Sequence, residues 1–109
     1  QRTNELFNSF MAILEKDYKF SRDVSYYASK LCITRKYLGI IISRKTGITA
    51  KHVIDEYMIM QLKLNLRTSH ASIKQIAAEY NFSDASFFIR YFHHATGSTP
   101  AEFRRLHKV

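Results

Sequence analysis

One pattern occurs twice in this 109-residue chain, and the duplication limits its fold more than any single motif. Val24, Tyr27, Ala28, Leu31, Ile33 and Thr34 recur at an offset of 49 as Ile73, Ile76, Ala77, Tyr80, Phe82 and Ser83. A one-residue insertion then shifts the offset to 50, and Leu38, Ile41, Ile42, Gly47, Thr49 and Val53 recur as Phe88, Tyr91, Phe92, Gly97, Thr99 and Phe103. Apolar residues at helical spacing, broken by turn and cap residues, make each copy a short helix, a tight turn and a longer helix. With only three Gly and one Pro, the chain lacks the punctuation that sheets and long loops need. The expectation is an all-α fold: two helix-turn-helix units joined by a connector helix, about seven helices in all.

The elements follow in order. Leu6, Phe7, Phe10, Met11, Ile13 and Leu14 predict a first helix over Asn4 to about Lys19, with Thr3 as N-cap. In copy one the short helix runs from Ser25 to Leu31, Cys32-Ile33-Thr34 turn, and Thr34 caps a helix reaching Gly47. In copy two Ser72 caps the short helix ending near Tyr80, Asn81-Phe82-Ser83 turn, and Ser83 caps the helix reaching Gly97. Ala28 and Ala77 are small enough for two helices to cross closely, and Asn81 suits positive φ better than Cys32 does. Thr49 to Leu66 forms the connector, about 27 Å long at 1.5 Å per residue, and Thr99-Pro100 opens a last helix to about Leu106. Residues 1–109 read as one domain: 1–48 the first unit with its preceding helix, 49–66 the connector, 67–109 the second unit and final helix.

Charge narrows the function. Seventeen Lys and Arg against nine Asp and Glu give +8, and no acid lies between Asp23 and Asp55, where Lys30, Arg35, Lys36, Arg44, Lys45 and Lys51 fall. Such a surface attracts a polyphosphate backbone. On an ideal helix Leu38, Ile41, Ile42 and Lys45 share the inner side of the first long helix, and Lys36, Gly39, Ile40 and Ser43 the outer. For the second, Phe88, Tyr91, Phe92 and Ala95 point inward, and Ser86, Ile89, Arg90 and His93 outward. In a helix-turn-helix the second helix enters the major groove of double-stranded DNA, so the base-reading candidates are Lys36, Ile40, Ser86, Ile89 and Arg90. Arg90 suits a guanine edge, and Ile40 and Ile89 suit thymine methyls. Phosphate candidates are Thr34, Arg35, Ser43, Arg44, Lys45, Ser83 and His93. Two such helices about 34 Å apart would enter successive major grooves.

Ile73-Lys74-Gln75-Ile76-Ala77, Asn81-Phe82-Ser83-Asp84, Phe87-Phe88-Ile89-Arg90-Tyr91-Phe92 and Thr96-Gly97-Ser98-Thr99-Pro100-Ala101-Glu102-Phe103-Arg104 together resemble the DNA-binding domain of the AraC/XylS family of bacterial transcription regulators. The resemblance extends over essentially the whole chain, with Leu31-Cys32-Ile33-Thr34, Tyr37-Leu38 and Thr46-Gly47 keeping the pattern in copy one. It implies sequence-specific promoter binding in the bacterial cytoplasm, at the nucleoid, and activation through contact with RNA polymerase. Members commonly carry Ser-Arg where this chain has Gly39-Ile40, so the family's arginine contact from the first long helix has no counterpart here. The chain departs from the family also at Ala85, Ile89, Leu62 and Asn65.

Other classes find less support. His93 and His94 are adjacent and so point about 100° apart on a helix, and His52, His70, His107 and Cys32 share no ligand spacing. No Gly-rich phosphate loop or nucleophile elbow occurs, so neither an enzyme nor a cofactor is expected. No apolar run approaches the roughly 20 residues of a spanning helix, and a membrane-surface role would need an apolar face that the repeated core already uses. A helical protein-protein interaction module is the main alternative. The lone Cys32 is expected to be a small buried residue. Because the chain starts Gln-Arg-Thr, it is expected to be a piece of a longer protein with a sensing or dimerisation domain elsewhere.

Overall fold

In a computed structural model, residues 2–109 form seven α-helices: α1 (Arg2–Asp17), α2 (Val24–Lys30), α3 (Arg35–Thr46), α4 (Ala50–Thr68), α5 (Ile73–Glu79), α6 (Ala85–Thr96) and α7 (Pro100–His107). No strand occurs among the described residues. The chain divides into two compact units, one ending at Tyr57 and one beginning at Met58, with the division inside α4.

The first unit packs Phe10 and Leu14 of α1, Val24, Tyr27 and Ala28 of α2, Leu38 and Ile42 of α3, and Ala50 and Ile54 of α4 into one core. Phe10 meets Tyr27 edge to face at 5.7 Å, a favoured aromatic geometry. The Tyr27 hydroxyl donates to the Ser21 carbonyl at 2.6 Å, so the polar end of a fully buried ring is satisfied, and burial raises its pKa. The helix α1 already begins at Arg2, placing Thr3 within its first turn and not at its N-cap. The first N–H groups of a helix have no intrahelical partner in any case, so nothing obliges the helix to start at a hydroxyl. Asp23, accepting from the Ser25 N–H, caps α2 and starts it at Val24, one residue before the expected Ser25.

In the second unit Ile76 and Ala77 of α5, Phe88 and Phe92 of α6, Pro100 of α7, and Tyr80 and Phe82 of the intervening turn are buried. Phe82 stacks on Phe88 at 5.1 Å, Phe88 meets Phe92 at 6.1 Å, and Phe92 meets Phe103 at 5.6 Å, an aromatic run that fixes α6. Removing such a ring from a core costs about 3–5 kcal/mol. Along this unit's part of α4, Met58, Ile59, Leu62 and Leu66 are buried. The Arg104 guanidinium ties α7 to the end of α4, donating to the carbonyls of Leu66 (3.0 Å), Ala71 (2.6 Å) and Ser69 (3.4 Å). Lys108 adds a bond to the Ser69 carbonyl.

The duplication persists down to single hydrogen bonds. After α2, Cys32 N–H bonds Ser29 O and Ile33 N–H bonds Ala28 O; after α5, Asn81 N–H bonds Ala78 O and Phe82 N–H bonds Ala77 O. This pair of bonds around a left-handed residue is a Schellman turn, and Cys32 (φ 57°) and Asn81 (φ 63°) both occupy its left-handed position. Cys32 therefore takes the conformation its residue type suits poorly. It is also exposed, not buried, because the C′ side chain of such a turn projects away from the helix junction. At the far ends, Gly47 (φ 80°) and Gly97 (φ 82°) close α3 and α6, each through its N–H to the carbonyl four residues back.

Candidate nucleic-acid interface

The helix α3 starts at Thr34, whose hydroxyl accepts the Tyr37 N–H at 3.0 Å. The matching helix α6 is capped by Asp84, not by Ser83: the Asp84 carboxylate accepts the Phe87 N–H at 2.8 Å. The one-residue insertion between the copies precedes the cap, so the offset is already 50 there. Ser83 is left exposed with its hydroxyl outside the capping role.

On α3, Leu38, Ile41 and Ile42 are buried, while Lys36, Ile40, Ser43 and Arg44 are exposed and Gly39 is partly so. Lys36, Gly39, Ile40, Ser43 and Arg44 line a shallow groove with Thr49 and Ala50. No hydrogen bond or ion pair links Lys36 or Arg44 to another described residue. The other candidates lie elsewhere. Arg35 bonds the Ser25 hydroxyl at 3.1 Å and pairs with Asp23 at 3.5 Å, an exposed and hence weak pair. Lys45, expected on the inner side, is exposed: its ammonium donates to Asn4 Oδ1 at 2.7 Å and stands 5.9 Å from the centre of the Phe7 ring. The cation avoids desolvation by turning to the first helix. There it borders a second groove with Thr3, Asn4, Tyr37, Ile40, Ile41 and Arg44. Ile40 thus stands on the crest between the two grooves.

On α6, Phe88 and Phe92 are buried and Tyr91 is half-buried, while Ser86, Ile89, Arg90 and His93 are exposed. Ala95, expected inward, is exposed because the aromatic stripe ends one turn earlier. The Arg90 guanidinium lies 5.9 Å from the centre of the Phe87 ring, which is 40% exposed and meets the buried Phe82 edge to face. A cation over a ring face loses rotamer freedom, so Phe87 holds Arg90 against its own helix. Phe87 and Tyr37 are the surface residues that the outward projection missed. Their spacing of three from Arg90 and Ile40 carried the signal, since residues three apart are neighbours on a helix. Near the start of α7, the Glu102 carboxylate accepts from the Thr99 N–H in a capping box. That bond, then hydrogen bonding with the Thr99 side chain, hold its pKa below the ordinary glutamate value against some desolvation, with a smaller contribution from the nearby Arg105 charge. Among the described residues no group of three or more His, Cys, Asp or Glu could hold a metal ion, and no helix is long and apolar enough to cross a membrane.

A family profile described as a helix-turn-helix domain matches residues 27–106, spanning both copies of the repeat. The chain belongs to the AraC/XylS-type helix-turn-helix family. Over 82 residues it is 29% identical to the arabinose operon regulatory protein of Salmonella typhimurium, covering 75% of this chain and 29% of that regulator. The chain therefore spans less than a third of that curated relative. The fold is that of the C-terminal domain of the two-component response regulator yesN from Fusobacterium nucleatum, at 25% identity and TM-score 0.81 over 95% of this chain and 99% of that one. It is also that of the DNA-binding domain of AdpA, a global transcriptional factor solved with a target DNA, at 22% identity and TM-score 0.78 over 93% and 90%. Among the described residues the AraC/XylS-type domain thus has seven helices in the order its repeat predicts, with α3 and α6 as the matching longer helices.

Proposed function

We propose that this chain is the DNA-binding part of a bacterial transcription regulator and that α3 and α6 each enter the major groove of duplex DNA, in successive grooves on one face. The observation that carries the reading is Arg90: a planar five-donor fork displayed by a helix whose opposite face is locked by Phe88 and Phe92. An Arg so placed suits the O6 and N7 acceptors of guanine. Ser86 and Ile89 flank it, and on α3 Lys36 and Ile40 face the bases. Arg44, Ser43, Lys45 and His93 serve the phosphates, as do Arg35 once it leaves its exposed pair and Thr34 and Ser83 through their hydroxyl hydrogens. Thr34 can do this while capping, since its oxygen accepts from Tyr37 and its proton remains free to donate.

Activation of transcription through RNA polymerase, an additional sensing or dimerisation domain in the parent protein, and a place at the bacterial nucleoid are part of the same proposal. They rest on family membership and on the relatives' length.

The test is selection of duplexes from a random pool, followed by affinity measured at several salt concentrations. Binding should weaken steeply with salt, since each phosphate neutralised releases counterion. Arg90→Ala should cost about 1–3 kcal/mol on the selected site and relax one guanine, whereas Arg44→Ala should weaken all sequences alike and flatten the salt slope. Retained binding of a protein partner in excess random duplex, with no duplex selected, would favour the protein-interaction alternative instead.

A further inference from the structure

The repeat aligns Ile40 of α3 with Arg90 of α6, so the two units present an apolar and a charged side chain at the matching place. Ile40 is 40% exposed on a crest, outside the buried core, so a good part of a large apolar side chain faces solvent. Beside it, Gly39 sits in ordinary helical conformation, and a Cβ added there would meet nothing within 4 Å. Neither packing nor backbone geometry calls for glycine. What its missing side chain does is leave the surface next to Ile40 open. Ser43, one helical turn along from Gly39, lines the same groove. Its hydroxyl can donate or accept with equal ease. Lys36 and Arg44 flank the crest, and the stretch between Asp23 and Asp55 has no acid, so the apolar spot is framed by positive charge.

From this arrangement, and resting on the DNA-binding reading above, we infer that α3 reads the C5-methyl group of a pyrimidine and accepts thymine and 5-methylcytosine alike opposite Ile40. Both bases present the same methyl in the major groove. They differ beside it, where thymine offers the O4 acceptor and cytosine the N4 donor. A rigid donor such as Arg would separate them. An isoleucine flanked by an empty glycine position and an amphoteric hydroxyl does not. The framing charge selects duplex DNA as the occupant over an apolar protein segment, which would have to desolvate Lys36 and Arg44 without compensating anions.

The probe is a duplex recovered from a random pool, in the half-site whose preferences survive Arg90→Ala. Each thymine there is replaced singly by deoxyuridine, which removes only the methyl, and each T·A pair by C·G or by 5-methylcytosine·G. At one position deoxyuridine should weaken binding about fourfold, the equivalent of one methyl taken out of apolar contact, and 5-methylcytosine should bind about fourfold more tightly than cytosine. Ile40→Ala should erase both differences; the exposed side chain makes misfolding of this variant a minor concern, checked by its melting curve. The inference is overturned if no deoxyuridine position matters, if cytosine and 5-methylcytosine bind equally, or if Ile40→Ala keeps either difference. Failure to bind any duplex would instead overturn the DNA-binding reading itself.

Discussion

Replacing Arg104 with alanine removes three hydrogen bonds at once from the junction of α4, α5 and α7. The Leu66 and Ala71 bonds, at 3.0 and 2.6 Å, are good; the Ser69 bond, at 3.4 Å, is long enough to count for little. A bond from a charged donor contributes roughly 1.5–3 kcal/mol. Because Arg104 is only half-buried, water can reach part of what is vacated, so the loss should fall near 2–4 kcal/mol. A unit of roughly fifty residues holds about 3–8 kcal/mol in total, so the change would take a large share of the second unit's stability. Amide hydrogen exchange resolves this, because each helix is read separately. The amides of Ile76, Phe88 and Phe92 should lose protection, and those of Tyr27, Leu38 and Ile42 should change little. Arg104→Lys should recover less than half of the loss, since a point charge cannot span carbonyls arranged for a fork. A loss below about 0.5 kcal/mol, typical of a neutral surface change, or one spread evenly over both units, would refute the clamp.

Three further outcomes are open to simple measurement. Asp84→Ala should cost about 1 kcal/mol in thermal or urea unfolding and Ser83→Ala close to none, because only Asp84 accepts an N–H at the start of α6. Gly39→Ala should raise stability by about 0.5–1 kcal/mol, since the added Cβ meets nothing and alanine is the better helix former; a urea midpoint that falls would contradict this. Glu102 has a folded pKa below its unfolded one, so its stabilisation is present above the unfolded pKa and fades as pH falls through the folded value. Unfolding measured from neutral to acid pH should therefore show a component that Glu102→Gln removes.

Much of this architecture could be read from residue spacing. The two copies, both glycine stops, the Ser72 and Thr99 caps and the buried faces of α3 and α6 all follow from periodicity and side-chain chemistry, because each is a local requirement repeated twice. The misreadings have local causes too. Ser83 and Asp84 can each cap a helix, and only the exact place of the insertion chooses between them. Residue type suggested a buried Cys32, although the polar Asn81 at the matching position marked that place as exposed. Lys45 and Ala95 fall at the ends of their helices, where an ideal projection counts a face that the core no longer covers. The stacking of Arg90 on Phe87 depends on side-chain rotamers, which spacing permits without selecting.

The left-handed turn after α2 has a practical use. Its apex is Cys32, the only cysteine of the chain, and its thiol is exposed. A maleimide fluorophore or nitroxide attached there would be a single-site reporter two residues from the Thr34 cap, at the point where α3 begins. Because Asn81 holds the equivalent place in the second unit, Asn81→Cys in a Cys32→Asn background would move the same label to the mirrored station. The backbone at both apexes already has the same left-handed geometry, so the pair of labelled proteins could record docking of each helix onto a ligand as separate, time-resolved signals.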